Sequence, residues 1–366
     1  MKVPSLLDLG GEQQAVLDLP FDGSHVITGS AGSGKTVMAL YRAWSIATAG
    51  REVVLLTHSN LLHQYLAQLA PGLTEALKVT TYHRWMRAFW DRHFRCDPPQ
   101  TDEEGWSYDW IAIQRDCILG RIRSTTHLVI DEGQQLPVGF YELCRVLGVD
   151  VSVFADESQR IGEDESTLSE IYHELGLETA SLVLLGNRRN SREIAMLAHE
   201  FGDPIRAEPP LPERTGRAPM LLKVPSLKIL VTGVARYFSA HPWRSIGIIC
   251  LSTHVVRDMQ GRLTRSGLAK HTQTYVGADP YRNAVDFSTR PIRIVSTASM
   301  KGLEFDSVFV PDLDAYTEDP TGVEASLRFF VLCTRAREDL HLAYRGSAEP
   351  AIVSGVPEAL LGRHVL

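Results

Sequence analysis

His25-Val26-Ile27-Thr28-Gly29-Ser30-Ala31-Gly32-Ser33-Gly34-Lys35-Thr36 decides the fold. An apolar, β-branched run leads into a glycine-rich loop, and residues 36–49 continue with helical spacing. The loop fits GxxxxGK(S/T) at every fixed position, in the strand–loop–helix context that gives the pattern its meaning. Glycines let backbone N–H groups turn inward around phosphates, and the following helix adds the positive end of its dipole. Lys35 is expected to reach the β- and γ-phosphates of a nucleotide, with the Thr36 hydroxyl on Mg²⁺.

Further along, Leu128-Val129-Ile130-Asp131-Glu132 is an apolar strand ending in two acids. Strand carboxyl ends are where open α/β sheets bind ligands. Asp131 is expected to hold Mg²⁺ and Glu132 to polarise the attacking water.

Strands are expected at 25–28, 53–57, 127–130 and 151–155, with helices at 36–49 and 60–69 between them. Such alternation predicts a parallel sheet covered by helices. A second series follows: strand 245–251, helix 254–266, strands 292–296 and 307–311, helix 325–334 and strand 340–344. Pro204, Pro209, Pro210, Pro212 and Pro219 mark a linker between the two series. The division is therefore 1–200, a linker over 201–219, and 220–366. A length of 366 residues suits two α/β domains.

Hydrophobic residues make up 44% and charged residues 22%, an ordinary globular balance. No apolar run approaches a membrane span, and no basic, apolar, small-residue leader opens the chain. The five cysteines are scattered without CxxC spacing, which argues against a disulfide framework or a zinc site. A cytoplasmic location and no membrane partner are expected. The net charge of −7 does not advertise a nucleic-acid binder, although phosphate contacts need only a local basic stripe.

Asp131-Glu132-Gly133-Gln134-Gln135 resembles the DExQD block of superfamily 1 helicases of the UvrD/Rep/PcrA branch, with Gln135 for the usual Asp. Other blocks follow in that family's order. Ala155-Asp156-Glu157-Ser158-Gln159 resembles GDxxQ, and Asn187-Arg188-Arg189-Asn190-Ser191 resembles NYRS. Lys301-Gly302-Leu303-Glu304-Phe305 keeps the KGLEF core, and Thr334-Arg335-Ala336 matches the last block. Upstream, Glu12-Gln13-Gln14 is similar to the adenine-reading Q motif.

The resemblance implies two RecA-like P-loop NTPase lobes with parallel sheets and an ATP site in the cleft between them. By that match Gln159 senses the γ-phosphate, and Arg189 and Arg335 reach it. Arg188 takes the place of a Tyr that stacks on adenine, as a guanidinium also can. Gly302 and Glu304 approach phosphate and ribose, and Gln13, with Gln14 as the alternative, reads adenine. Thr57, His58 and Asn60, then Thr81 and His83, and finally Ser296 correspond to contacts with a single strand.

The activity so implied is an ATP-dependent single-stranded translocase or helicase, on DNA rather than RNA, running 3′ to 5′. The large accessory insertions of the family have no room here, and Arg160-Ile161-Gly162-Glu163 replaces its base-stacking aromatics. A nucleic-acid-gated ATPase switch serving a protein partner such as a nuclease is the alternative. Residues 83–95 interleave basic and aromatic side chains, but Trp85, Met86, Phe89, Trp90 and His93 share one helical face. That spacing predicts a helix packed on its lobe.

Overall fold

The six strands of the N-terminal sheet comprise four interior ones, whose apolar side chains alternate between two covered faces, and two edge strands. In chain order they are β1 (His25–Gly29), β2 (Val53–Thr57), β3 (Lys78–Thr81), β4 (His127–Asp131) and β5 (Val151–Ala155); the sixth is the short edge strand β6 (Leu182–Leu184). All pair in parallel, in the order β3-β2-β4-β5-β1-β6. β2, β4 and β5 are buried along their whole lengths, as a parallel sheet covered on both faces requires.

The computed structural model describes residues 9–57, 64, 77–101, 107–156, 165–202, 210–275, 286, 289–300 and 303–366. One face of the first sheet carries α2 (Lys35–Thr48), which packs on β2, β4 and β5. The alternate side chains Val54, Leu56, Leu128, Ile130, Val151 and Val153 join a second core. That core is filled by α3 (Tyr82–Phe94), α4 (Trp110–Leu119), α5 (Val138–Leu147) and α6 (Leu168–Leu175). Trp85, Met86, Phe89 and Trp90 of α3 are buried in it, while Arg84, Arg87 and also His93 are exposed. The packed helix expected at 83–95 is present, with His93 resting only its ring near Phe89.

The second sheet is also wholly parallel. It contains β7 (Met220–Lys223), β8 (Ile246–Cys250), β9 (Thr272–Tyr275), β10 (Ile292–Ser296), β11 (Phe305–Val310), β12 (Ala336–Tyr344) and β13 (Gly362–Val365). The order is β13-β7-β12-β11-β8-β10-β9. Its core gathers Leu230, Val231 and Val234 of α8 (Leu227–Ala240) with Val255, Val256 and Met259 of α9 (Thr253–Leu263). The α/β class with two parallel sheets thus stands as expected.

The division between the units differs from the sequence expectation. Packing separates Lys2–Ser30 with Gly34–Leu185 from Gly186–Leu366, which also gathers the loop residues Ala31–Ser33. Residues 186–200, expected to end the first lobe, go with the second. The reason is α7 (Arg192–His199), whose buried Ile194, Ala195, Leu197 and Ala198 belong to a helix packed on β12 and on α10 (Val323–Cys333). Among the described residues no helix is long and apolar enough to cross a membrane, and the cysteines are unpaired.

Candidate active site

The order β4-β5-β1 brings three strand ends side by side: Asp131 closes β4, Asp156 follows β5, and Gly29 closes β1. After Gly29 the chain turns through Gly32 and Gly34, with φ of 84° and 96°. L-residues with a side chain avoid that region, which is why the loop needs glycine there. Gly34 caps α2, and a Cβ on it would come within 2.7 Å of Gln13 Nε2. Of the two candidate glutamines, Gln13 is therefore the one against the loop. Gln14 is exposed and donates instead to the Leu9 carbonyl.

Lys35 is only 6% exposed, and its ammonium donates to the Gly29 and Ser30 carbonyls at 2.8 and 3.0 Å. Its third partner is the Asp156 carboxylate at 3.1 Å. The lysine is thus held at the mouth of its own loop by oxygens of the kind a phosphate would offer. The hydroxyls of Ser30 and Ser33 are buried there with no hydrogen-bond partner among the described residues.

Asp131 is buried, and among the described residues no donor reaches its carboxylate oxygens in full hydrogen-bond geometry. Burial pushes its pKa up, and the neighbouring Glu132 adds to the rise, while the Thr36 hydroxyl and Lys35 pull it down. A buried carboxyl beside a hydroxyl suits a small hard cation, which takes few protein ligands and would hold the carboxyl ionised. Among the described residues there is no cluster of three His, Cys, Asp or Glu that would form a larger metal cage.

Glu132 has φ 56° and ψ 46°, a left-handed backbone that is rare for a residue with a side chain. Such strain, of order 1–3 kcal/mol, concentrates at functional sites. Two neighbours hold it. A Cβ at Gly133 would lie 2.3 Å from Val153 Cγ1, so only glycine lets the turn sit on β5, and the Gly133 carbonyl accepts from Tyr141 at 2.6 Å. Gln134 is fully buried; its amide donates to Glu132 at 2.7 Å and its carbonyl accepts the Asp156 N–H at 3.1 Å. A bridge therefore runs from Lys35 through Asp156 and Gln134 to Glu132. Gln134 and Asp156 were visible as motif letters, but their joint role depends on β4 and β5 lying together.

Thr57 and Thr81, expected on a single strand, end neighbouring strands in matched register and are buried. His83 is half-buried, with Nδ1 3.3 Å from the Tyr108 hydroxyl. His58, Asn60, Gln159 and Gly302 lie outside the described residues.

Within the C-terminal unit, Arg189 donates to Glu304 at 2.7 Å, an ion pair largely shielded from water. Arg188 is exposed, and its N–H donates to the Gly32 carbonyl at 2.9 Å. Asn190 ties the segment down by donating to the Thr334 and Ala336 carbonyls at 3.1 and 2.5 Å. Arg335, between them, is fully buried and donates to Val331 and Leu303 carbonyls at 2.9 and 3.2 Å. Its guanidinium is directed into its own unit. Ser296 closes β10, half-buried, with its hydroxyl 3.2 Å from that of Ser299.

No family model matches the sequence, and no curated protein matches it. Among solved structures the chain is similar to the DUF1998 helicase MrfA bound to DNA, with a TM-score of 0.53 and 12% identity. That likeness covers 96% of this chain and 51% of the other, so the chain spans about half the length of that protein. It is also similar to the C-terminal domain of a possible DNA helicase from Lactobacillus plantarum WCFS1, at a TM-score of 0.37 and 21% identity over 48% of this chain and 97% of that one. At 12% identity the property shared with MrfA is the fold.

Proposed function

We propose that the chain is an ATPase motor that acts on single-stranded nucleic acid, a compact member of the UvrD/Rep/PcrA-like helicases working 3′ to 5′ on DNA. The observation that carries this reading is the meeting of Lys35 and Thr36, after β1, with Asp131 and Glu132, at the end of β4, on either side of Asp156 after β5 in one parallel sheet. Lys35 exchanges Asp156 for the β- and γ-phosphates. Thr36 and Asp131 would hold Mg²⁺, which neutralises phosphate charge when bound. Glu132, aimed by Gln134, takes the proton of the attacking water. Arg189, released from Glu304, and Arg335, turned away from the carbonyls of its own unit, supply positive charge for the transferring phosphoryl group. Gln13 and Arg188 hold the base, Gln159 senses the γ-phosphate, and Gly302 and Glu304 approach phosphate and ribose. Thr57, His58, Asn60, Thr81, His83 and Ser296 line the path of the strand.

The short span between α3 and β4 favours a second reading. Its described part holds little beyond α4 and one isolated bridge, Gln100 to Tyr108. A motor this spare suits a gated ATPase switch that signals to a protein partner such as a nuclease. ATP turnover titrated with single-stranded DNA, single-stranded RNA and duplex tests both: stimulation by a single strand is expected. No turnover under any of these conditions would overturn both readings, and a translocation assay then separates them.

A further inference from the structure

At the amino edge of the first sheet, opposite the strand ends that carry Lys35 and Asp131, lies a cavity of about 450 Å³ lined by Ile118, Arg121, Arg123, Arg145 and Val146. It forms where α4 ends, before the chain enters β4, and where α5 ends, before β5. Helix α4 buries only Ile113 and Cys117. Its outer face leaves Ile111 82%, Ile118 58% and Leu119 75% exposed. Ile111 and Ile118 are two turns apart, so the apolar stripe runs for about 10 Å before it reaches the cavity.

The three arginines are not equally occupied. Arg123 donates to the Val146 carbonyl at 2.6 Å and so caps α5, an ordinary structural duty. Arg145 is paired with Glu174 at 3.2 Å. Arg121 is exposed on a left-handed backbone, φ 52°, and among the described residues its guanidinium makes no hydrogen bond or ion pair. A concave cationic site beside exposed aliphatic side chains favours an anionic ligand that also has apolar parts. Its lining includes no aromatic ring on which a base would stack, as a nucleic-acid groove usually offers. The stripe along α4 also extends past what a small dicarboxylate would cover.

We propose that this face docks another protein through an acidic segment with interleaved aliphatic side chains, its carboxylates on Arg121 and Arg145 and its apolar side chains on Ile118, Leu119 and Ile111. Arginine forks suit carboxylates, and burying the aliphatic side chains adds the apolar contribution.

The test is fluorescence anisotropy with a short labelled peptide that alternates glutamate and leucine. Saturable binding is expected, weakened about tenfold or more by Arg121→Glu and by Ile118→Asp, each at an exposed site, with circular dichroism confirming the fold. The matching lysine–leucine peptide is expected not to bind. Equal binding of the glutamate–leucine peptide by wild type and both variants, or no binding at all, would overturn the proposal. So would stronger binding of a single-stranded oligonucleotide that Arg121→Glu abolishes, since the face would then contact nucleic acid. ATP turnover is not part of the readout, so failure here leaves the proposed activity standing, and the reverse holds too.

Discussion

Glu132 is the residue whose conformation says most. It holds a backbone that costs energy, and it is aimed by a single buried amide. Glu132→Gln is expected to bind ATP and fail to hydrolyse it, because the amide keeps the shape and loses the base; nucleotide titration beside single-turnover hydrolysis checks this. Gln134→Ala probes the support instead. Glu132 loses the Gln134 donor and the Asp156 N–H loses the Gln134 acceptor, which costs about 1–3 kcal/mol of stability. Turnover is expected to fall ~10-fold or more, while KM for ATP stays nearly constant, the pattern of a misplaced base. Lys35, Thr36, Asp131 and Glu132 were legible because each sits in a local pattern with a fixed spacing. The Gln134–Asp156 bridge was not, since it joins residues far apart in sequence whose strands happen to be neighbours.

Among the elements, β4 begins with a histidine that the surrounding chemistry keeps neutral. Burial lowers the His127 pKa to about 4, with Arg42 adding to the fall. One ring nitrogen lies 2.9 Å from the Ser152 hydroxyl and the other has no partner among the described residues. The unfolded chain takes up a proton near pH 6.5 that the folded strand refuses until about pH 4. Between those values the unfolded state binds more protons, so stability rises with pH and is lost as pH falls. The loss is of order 3 kcal/mol at most, and His127→Gln is expected to flatten it in denaturant melts run across that window.

The interior strands of both sheets were readable as apolar runs except β7, whose four residues Met220–Lys223 follow Pro219 and end on a lysine. The edge strands were not, because an edge buries less: Lys78 of β3 is exposed, as is Val183 of β6, and β13 ends on exposed residues. Helix α8 carried its signal in Leu227, Leu230, Val231, Val234 and Phe238 at helical spacing. Its two valines and Gly233 blur that signal by favouring other conformations.

At the scale of the whole molecule, Arg335 carries the test of the proposed motor. Arg335→Ala is expected to lower kcat by ~10³ with ATP affinity within a few fold, and to abolish stimulation by single strands. It is also expected to lower the melting temperature, because the guanidinium is buried and satisfies carbonyls of its own unit. A folded variant with normal, stimulated turnover would sink the mechanism. The order of the blocks was legible along the whole chain, but the inward direction of Arg335 was not, since sequence gives a residue and not its rotamer. One more consequence follows from α5. Its first turns hold Tyr141 on Gly133, beside Glu132, and its last turn lines the arginine cavity. Ten residues make it a rod about 15 Å long. Whatever work the proposed partner would do by shifting that rod at one end, nucleotide at the proposed site would do in return at the other, because linkage between two sites is reciprocal.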